Sequence, residues 1–230
     1  MRRRYARILI GVCLLTGGVQ AAPAAARGSR RHQLACPVRP KHLVIANGQA
    51  EVYVAAVPFQ AHTQGYFGCE YKAGRSRFIG SIRGRDTGVV DTRNLQLVGK
   101  LVAFESYIND RGISYSVVVL DLAKGRSAVR KLPTGNPTPA QQQANTGNSG
   151  GLSGVGHTTA LVLKNNGAVA WIVHDDLPPD PPTYEVIEVG ADGQRSVVAM
   201  GTDITPDSLA LSGGTLYWTQ GNAPRSAVLN

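Results

Sequence analysis

Ser208-Leu-Ala-Leu-Ser-Gly213-Gly214-Thr-Leu-Tyr-Trp218 sets two apolar runs on either side of a glycine pair, and the second run carries an aromatic residue. The same plan occurs three more times upstream. His42-Leu-Val-Ile-Ala-Asn47-Gly48 leads into Glu51-Val-Tyr-Val-Ala, and Leu95-Gln-Leu-Val-Gly99-Lys100 leads into Leu101-Val-Ala-Phe104. Ala160-Leu-Val-Leu-Lys-Asn-Asn166-Gly167 leads into Ala168-Val-Ala-Trp171-Ile-Val. Strand-length apolar runs joined through a turn glycine read as β-hairpins. One such hairpin cannot shield its own hydrophobic face, so four in series read as a repeat architecture.

The first three hairpins are each followed by a third apolar run and a tight turn. The runs are 66–71, 115–122 and 184–189, and the turns hold Ala73-Gly74, Lys124-Gly125 and Asp192-Gly193. Glycine supplies the positive φ that such turns need. Fourth runs follow at 77–80, 128–132 and 196–200. The turn glycines Gly48, Gly99, Gly167 and Gly214 lie 51, 68 and 47 residues apart. The longest interval contains 133–156, rich in Gly, Asn, Gln and Thr and poor in apolar side chains. That composition offers little burial to offset ordering entropy, so 133–156 is expected to be a mobile insert. No amphipathic helix is expected beyond the N-terminal apolar stretch.

Units of this length with four antiparallel strands are the signature of β-propeller blades. Over 43–229 the chain resembles the TolB-like and WD40-like propeller repeats of exported bacterial proteins, most closely at Leu209-Ala-Leu-Ser-Gly-Gly-Thr-Leu-Tyr-Trp218. It departs from them in having no Trp-Asp dipeptide at the end of a third strand; Asp121-Leu122 is the nearest echo. The expected fold is therefore all-β, four propeller-like units in a small or incomplete ring. The fourth unit shows three runs, and a closed ring needs a fourth strand from 34–38. An open stack and a two-sheet sandwich stay open as alternatives.

The first residues read as an export signal. Arg2, Arg3, Arg4 and Arg7 precede an apolar stretch at 8–19, and small-residue cleavage options follow. This stretch is shorter than the roughly 20 apolar residues of a membrane span. The expected organisation is a signal peptide at 1–26, a flexible basic tail at 27–35 and a β-domain at 36–230. A retained anchor is the alternative, and the mature chain is expected to have no transmembrane span. Cleavage removes four arginines and no acid, so the formal charge of +9 falls to +5, and only +2 belongs to the β-domain. The basic balance thus belongs mostly to signal and tail, and no nucleic-acid partner is expected. The basic stretch Arg75, Arg77, Arg83, Arg85 has only Phe78 interleaved, where a phosphate-tracking groove needs more aromatics. Those arginines read as solvated.

Cys36 and Cys69 are the two cysteines left after cleavage, and in an exported chain two thiols are expected to pair. The bridge closes a loop of about 32 residues and contributes on the order of 3–4 kcal/mol. Two buried free thiols are the alternative. Neither cysteine has the spacing of a zinc or redox motif.

Gly147-Asn148-Ser149-Gly150-Gly151 fits G-x-S-x-G, but polar loop flanks it where a nucleophile elbow needs a strand and a helix. It reads as loop, and no catalytic residue is assigned. His174-Asp175-Asp176-Leu-Pro-Pro-Asp180-Pro-Pro gathers carboxylates of the kind that bind Ca²⁺. Asp175, Asp176 and Asp180 are therefore the candidate metal ligands, against a solvated, proline-stiffened turn. His157, at the entry of an inner strand, and His174 are the candidate ligand-binding residues. Tyr53, Phe104, Trp171 and Trp218 sit at nearly matching places after the turn glycines, and such a row is expected to pack between neighbouring units. The function expected from this is an exported, non-enzymatic module for a protein or glycan partner. An exported hydrolase or lyase and an envelope structural protein are the alternatives. The first rests on architecture, and architecture does not fix activity.

Overall fold

The computed structural model describes residues 35–38, 40–58, 60, 62–83, 88–109, 113–125, 129–144, 154–176 and 181–230. Residues 1–26, where a signal peptide is expected, residues 27–34 of the expected tail, Arg85, Ser149 with its neighbouring glycines, and Asp180 lie outside the described residues. The first unit consists of β1 (His42–Ala46), β2 (Ala50–Ala56), β3 (Gln64–Glu70) and β4 (Arg75–Ser81). The second is β5 (Val89–Val98), β6 (Leu101–Asn109), β7 (Ile113–Asp121) and β8 (Val129–Pro133). A six-residue helix, α1 (Pro139–Ala144), precedes the third unit: β9 (His157–Leu163), β10 (Val169–Asp175), β11 (Thr183–Val189) and β12 (Arg195–Gly201). The fourth is β13 (Ala210–Ser212), β14 (Thr215–Gln220) and β15 (Ala223–Val228).

Within each unit the strands follow one another as an antiparallel meander. Gly74, Gly125 and Gly193 turn the chain between third and fourth strands with φ of 62°, 67° and 87°. The first and second units are not separate sheets. A single parallel bridge, Ser81 to Val89, joins β4 to β5 and makes one eight-stranded sheet.

Alternation of side chains along each strand builds the packing. Trp171, Val169 and Val173 of the third unit pack with Ala103, Val117 and Val119 of the second. On the opposite face, Ala170 and Ile172 pack with Leu216, Trp218 and Leu229 of the fourth. Both faces of β10 are covered, which is why its first five residues are all buried and read as an unbroken apolar run. Phe104 and Val102 likewise meet Ala50 and Val52 of the first unit. Phe104, Trp171 and Trp218 therefore pack between units, as expected from their matching places, whereas Tyr53 does not: it packs inside the first unit with Val57, Phe67 and Cys69.

Cationic side chains tie each unit to the next at one repeated place. Arg77 Nε donates to Leu122 O at 2.6 Å, Arg130 donates to Gly190 O at 3.2 Å, and Lys164 Nζ donates to Leu229 O at 2.6 Å. Each receiving carbonyl belongs to the residue just after a third strand. Arg77 is thus a half-buried clasp rather than a solvated arginine, whereas Arg75 and Arg83 are exposed.

The N-terminal segment pairs with the first unit: Ala35 bridges Arg75 and Cys36 N donates to Gly74 O, so the fourth strand that a closed ring would need from 34–38 is not supplied by these residues. The bridge between Cys36 and Cys69, whose Cα atoms are 5.7 Å apart, holds it there. Cys69→Ala is expected to lower unfolding free energy by about 2–4 kcal/mol, measured by denaturant melts with and without reductant. The wild type should lose the same amount on reduction, and the variant nothing further.

The ends of the expected mobile insert are also structured. Thr134 Oγ1 donates to Val155 O and Gly156 O, which clips the base of the loop shut. Thr138 and Gln141 form a reciprocal cap on α1, with Gln141 N on Thr138 Oγ1 and Thr138 N on Gln141 Oε1. Pro139 fits the first helical position because it has no N–H to leave unpaired.

The first unit carries a polar residue where the others are apolar. Glu51 stands two residues before Tyr53, as Val102, Val169 and Leu216 stand before Phe104, Trp171 and Trp218. Those three are fully buried; Glu51 is nearly so, and its Oε1 finds no partner. Burial pushes its carboxyl above the ordinary carboxylate value, against a weaker hydrogen bond from Tyr71. A raised folded-state value means that Glu51's contribution is lost as pH rises through it. Glu51→Gln should therefore raise the melting temperature at pH 7, with the gain shrinking towards pH 4. Thermal melts across that range check it.

Candidate functional site at the corner of the second and third units

Strand register brings the polar residues of two units to one end. Asp91 pairs with Glu105 and Tyr107 with Tyr115 in the second unit. His174 pairs with His157 on one side and with Tyr184 on the other in the third. These positions are the starts of β5, β7, β9 and β11 and the ends of β6 and β10, so the antiparallel order places them at one edge. Gly156, with φ of 75°, lets the loop approach the His174 carbonyl closely enough to deliver His157 into β9.

Glu105 reaches across the interface. Its Oε2 accepts from Thr158 N at 2.5 Å and from Thr158 Oγ1 at 2.6 Å. Its Oε1 lies 3.2 Å from His157 Nδ1. The carboxylate is 2% exposed, so these partners are what keep it in a dry position. Asn94 Nδ2 adds a bond to Thr158 O from the same side. The His157 side chain is half exposed, and its ring meets Tyr115 edge-on at 4.3 Å. Tyr115 in turn packs against Tyr107, with centroids 5.0 Å apart and the rings inclined at 33°.

Charge is unevenly spread here. Burial works to raise the Asp91 carboxyl, but hydrogen bonds and charge from Arg93, with a smaller part from His157, hold it below its ordinary value. The Tyr115 phenol is pushed up, first by burial, then by Tyr107, Glu105 and Asp176. Burial also raises Glu185 on β11, against the opposing charge of Arg195.

The two candidate ligand-binding histidines are thus brought together, and both lie against tyrosines: His174 stacks on Tyr184 at 4.5 Å. Of the candidate metal ligands, Asp175 and Asp176 are among the described residues and Asp180 is not. Asp175 Oδ2 accepts from Gln141 Nε2 of α1 at 2.9 Å, and Asp176 is exposed. Among the described residues no group of three His, Cys, Asp or Glu is placed to hold a metal ion. No helix among them is long and apolar enough to cross a membrane.

Sequence reasoning missed Glu105, Asp91, Tyr107, Tyr115 and Gln141. A buried glutamate inside the run Val-Ala-Phe-Glu105-Ser was the available signal, since an acid among core residues needs partners. For Gln141 the signal was Thr138-Pro139-Ala140-Gln141, the S/T-x-x-Q cap of a helix start. The chain matches no protein-family model and no curated protein.

Proposed function

We propose that this chain is an exported, non-enzymatic recognition module on a propeller-like stack, and that it takes a protein or glycan partner at the corner of the second and third units. The observation that carries this reading is the series of the part-buried Tyr107 and Tyr115 with the half-exposed His157, with His174 and Tyr184 alongside. Aromatic rings with polar tips at a rigid edge combine contact area with few freely rotating bonds, a composition suited to recognition. Glu105 spends its hydrogen-bonding capacity on Thr158 and His157, which holds the ring in place rather than serving a reacting atom. The Cys36–Cys69 bridge fits an oxidising compartment. The stacking of four meanders through alternating faces supports the propeller-like reading.

Immobilised mature protein probed with arrays of envelope glycans and peptides tests the reading. Binding should appear for a subset, should be lost on combining Tyr115→Ala with Tyr184→Ala, and should survive Tyr217→Ala. A bound compound recovered chemically altered would favour the hydrolase or lyase reading. Equal binding by all variants would remove the corner from consideration.

A further inference from the structure

We propose that the corner of the second and third units binds a cationic amine, with Tyr107, Tyr115 and His157 as its aromatic walls. This rests on reading that corner as the recognition site and adds the chemistry of what it recognises. The three rings are contiguous, at 5.0 Å and 4.3 Å between successive centroids. Aromatic faces carry the negative side of the ring quadrupole and attract an alkylammonium group seated on them.

The surrounding charge has the same sign. Glu105 lies against His157, and Asp91 is its cross-strand partner. Asp176 follows directly after β10, whose end carries His174 and Asp175. After burial and Tyr107, its charge and that of Glu105 both raise the Tyr115 phenol, so both carboxylates lie within electrostatic reach of the rings. Among the described residues the arginine of this group, Arg93, is taken up in a two-oxygen pair with Asp91. Among the described residues the corner carries more carboxylates than arginines or lysines, in a β-domain whose formal balance is only +2. Such a field gives nothing to a neutral sugar and repels an anion, whereas a cation gains from both rings and carboxylates. The shared chemistry is an alkylammonium head, either free or on a lysine side chain of a peptide.

Aromatic-resonance NMR on the mature protein tests this with three probes. These are choline, N-acetyl-trimethyllysine amide and 3,3-dimethylbutanol, which has the shape of choline without its charge. Choline or the trimethyllysine amide should shift the Tyr107 and Tyr115 ring signals saturably, and the neutral probe should bind at least tenfold more weakly. The preferred cation tells a free amine from a lysine-bearing peptide. Asp176→Asn should weaken binding severalfold and Tyr115→Leu at least tenfold, while Tyr217→Leu changes nothing. Equal binding of the neutral probe, or no saturable shift with either cation, overturns the proposal, and neither comparison depends on a variant that folds. If the same rings respond instead to an uncharged glycan fragment, the amine inference falls and the recognition reading stands.

Discussion

Trp171→Ala is expected to lower the unfolding free energy by about 3–5 kcal/mol, the range for emptying a large aromatic from a packed core. Trp171 is fully buried and sits in the layer where the second and third units meet. Removing the indole opens a void against Val117, Val119 and Ile187, and strands of a β-sheet close such voids only in part. A second loss adds to it. Trp171 Nε1 donates to Thr134 O at 2.7 Å, and Thr134 also clips the base of the loop after β8. Trp171→Phe should therefore cost less than alanine but more than a volume change alone, because the Thr134 carbonyl loses its donor. Urea or guanidinium melts measure both. A loss under about 1 kcal/mol for alanine would mean that this layer is not the core between units.

Glu105→Ala is the second large effect, at about 3 kcal/mol, since each buried group left without its partner costs roughly 1–3 kcal/mol. The substitution strips the acceptor from both Thr158 N and Thr158 Oγ1 and frees the His157 ring. Glu105→Gln keeps one carbonyl oxygen able to accept from Thr158 and should cost distinctly less. The two variants also separate stability from recognition. Both weaken the negative field at the rings, so both should reduce binding of a cationic probe even where the glutamine form is nearly as stable as the wild type.

Much of the strand arrangement was legible because it depends on two local rules. Glycine at positive φ marks the turns, as at Gly74, Gly125 and Gly193, and a run apolar at every position marks a strand covered on both faces, as in β10. The matching aromatic positions followed from the same count. What the sequence hid was set by contacts between units distant in the chain. Arg77 looked like a solvated strand arginine because its partner carbonyls, at Leu122 and Ala123, lie 45 and 46 residues away. The insert looked structureless by composition, yet a single capped turn and Gln141 anchor one side of it to Asp175. The site was half legible. His157 and His174 stood out at strand ends, but Glu105 reaches His157 over 52 residues, and nothing in the spacing announces that pair.

A crystal structure of the protein decides whether the second and third units share one buried layer. The Trp171 indole is expected to lie between β6–β7 and β10–β11 with its N–H on the Thr134 carbonyl, and Glu105 to cross that layer to His157 and Thr158. Phe104 and Trp218 should occupy the equivalent layers on either side. Two sheets facing each other once across a single common core, with Trp171 and Trp218 in that one core and Glu105 turned to solvent, would contradict it.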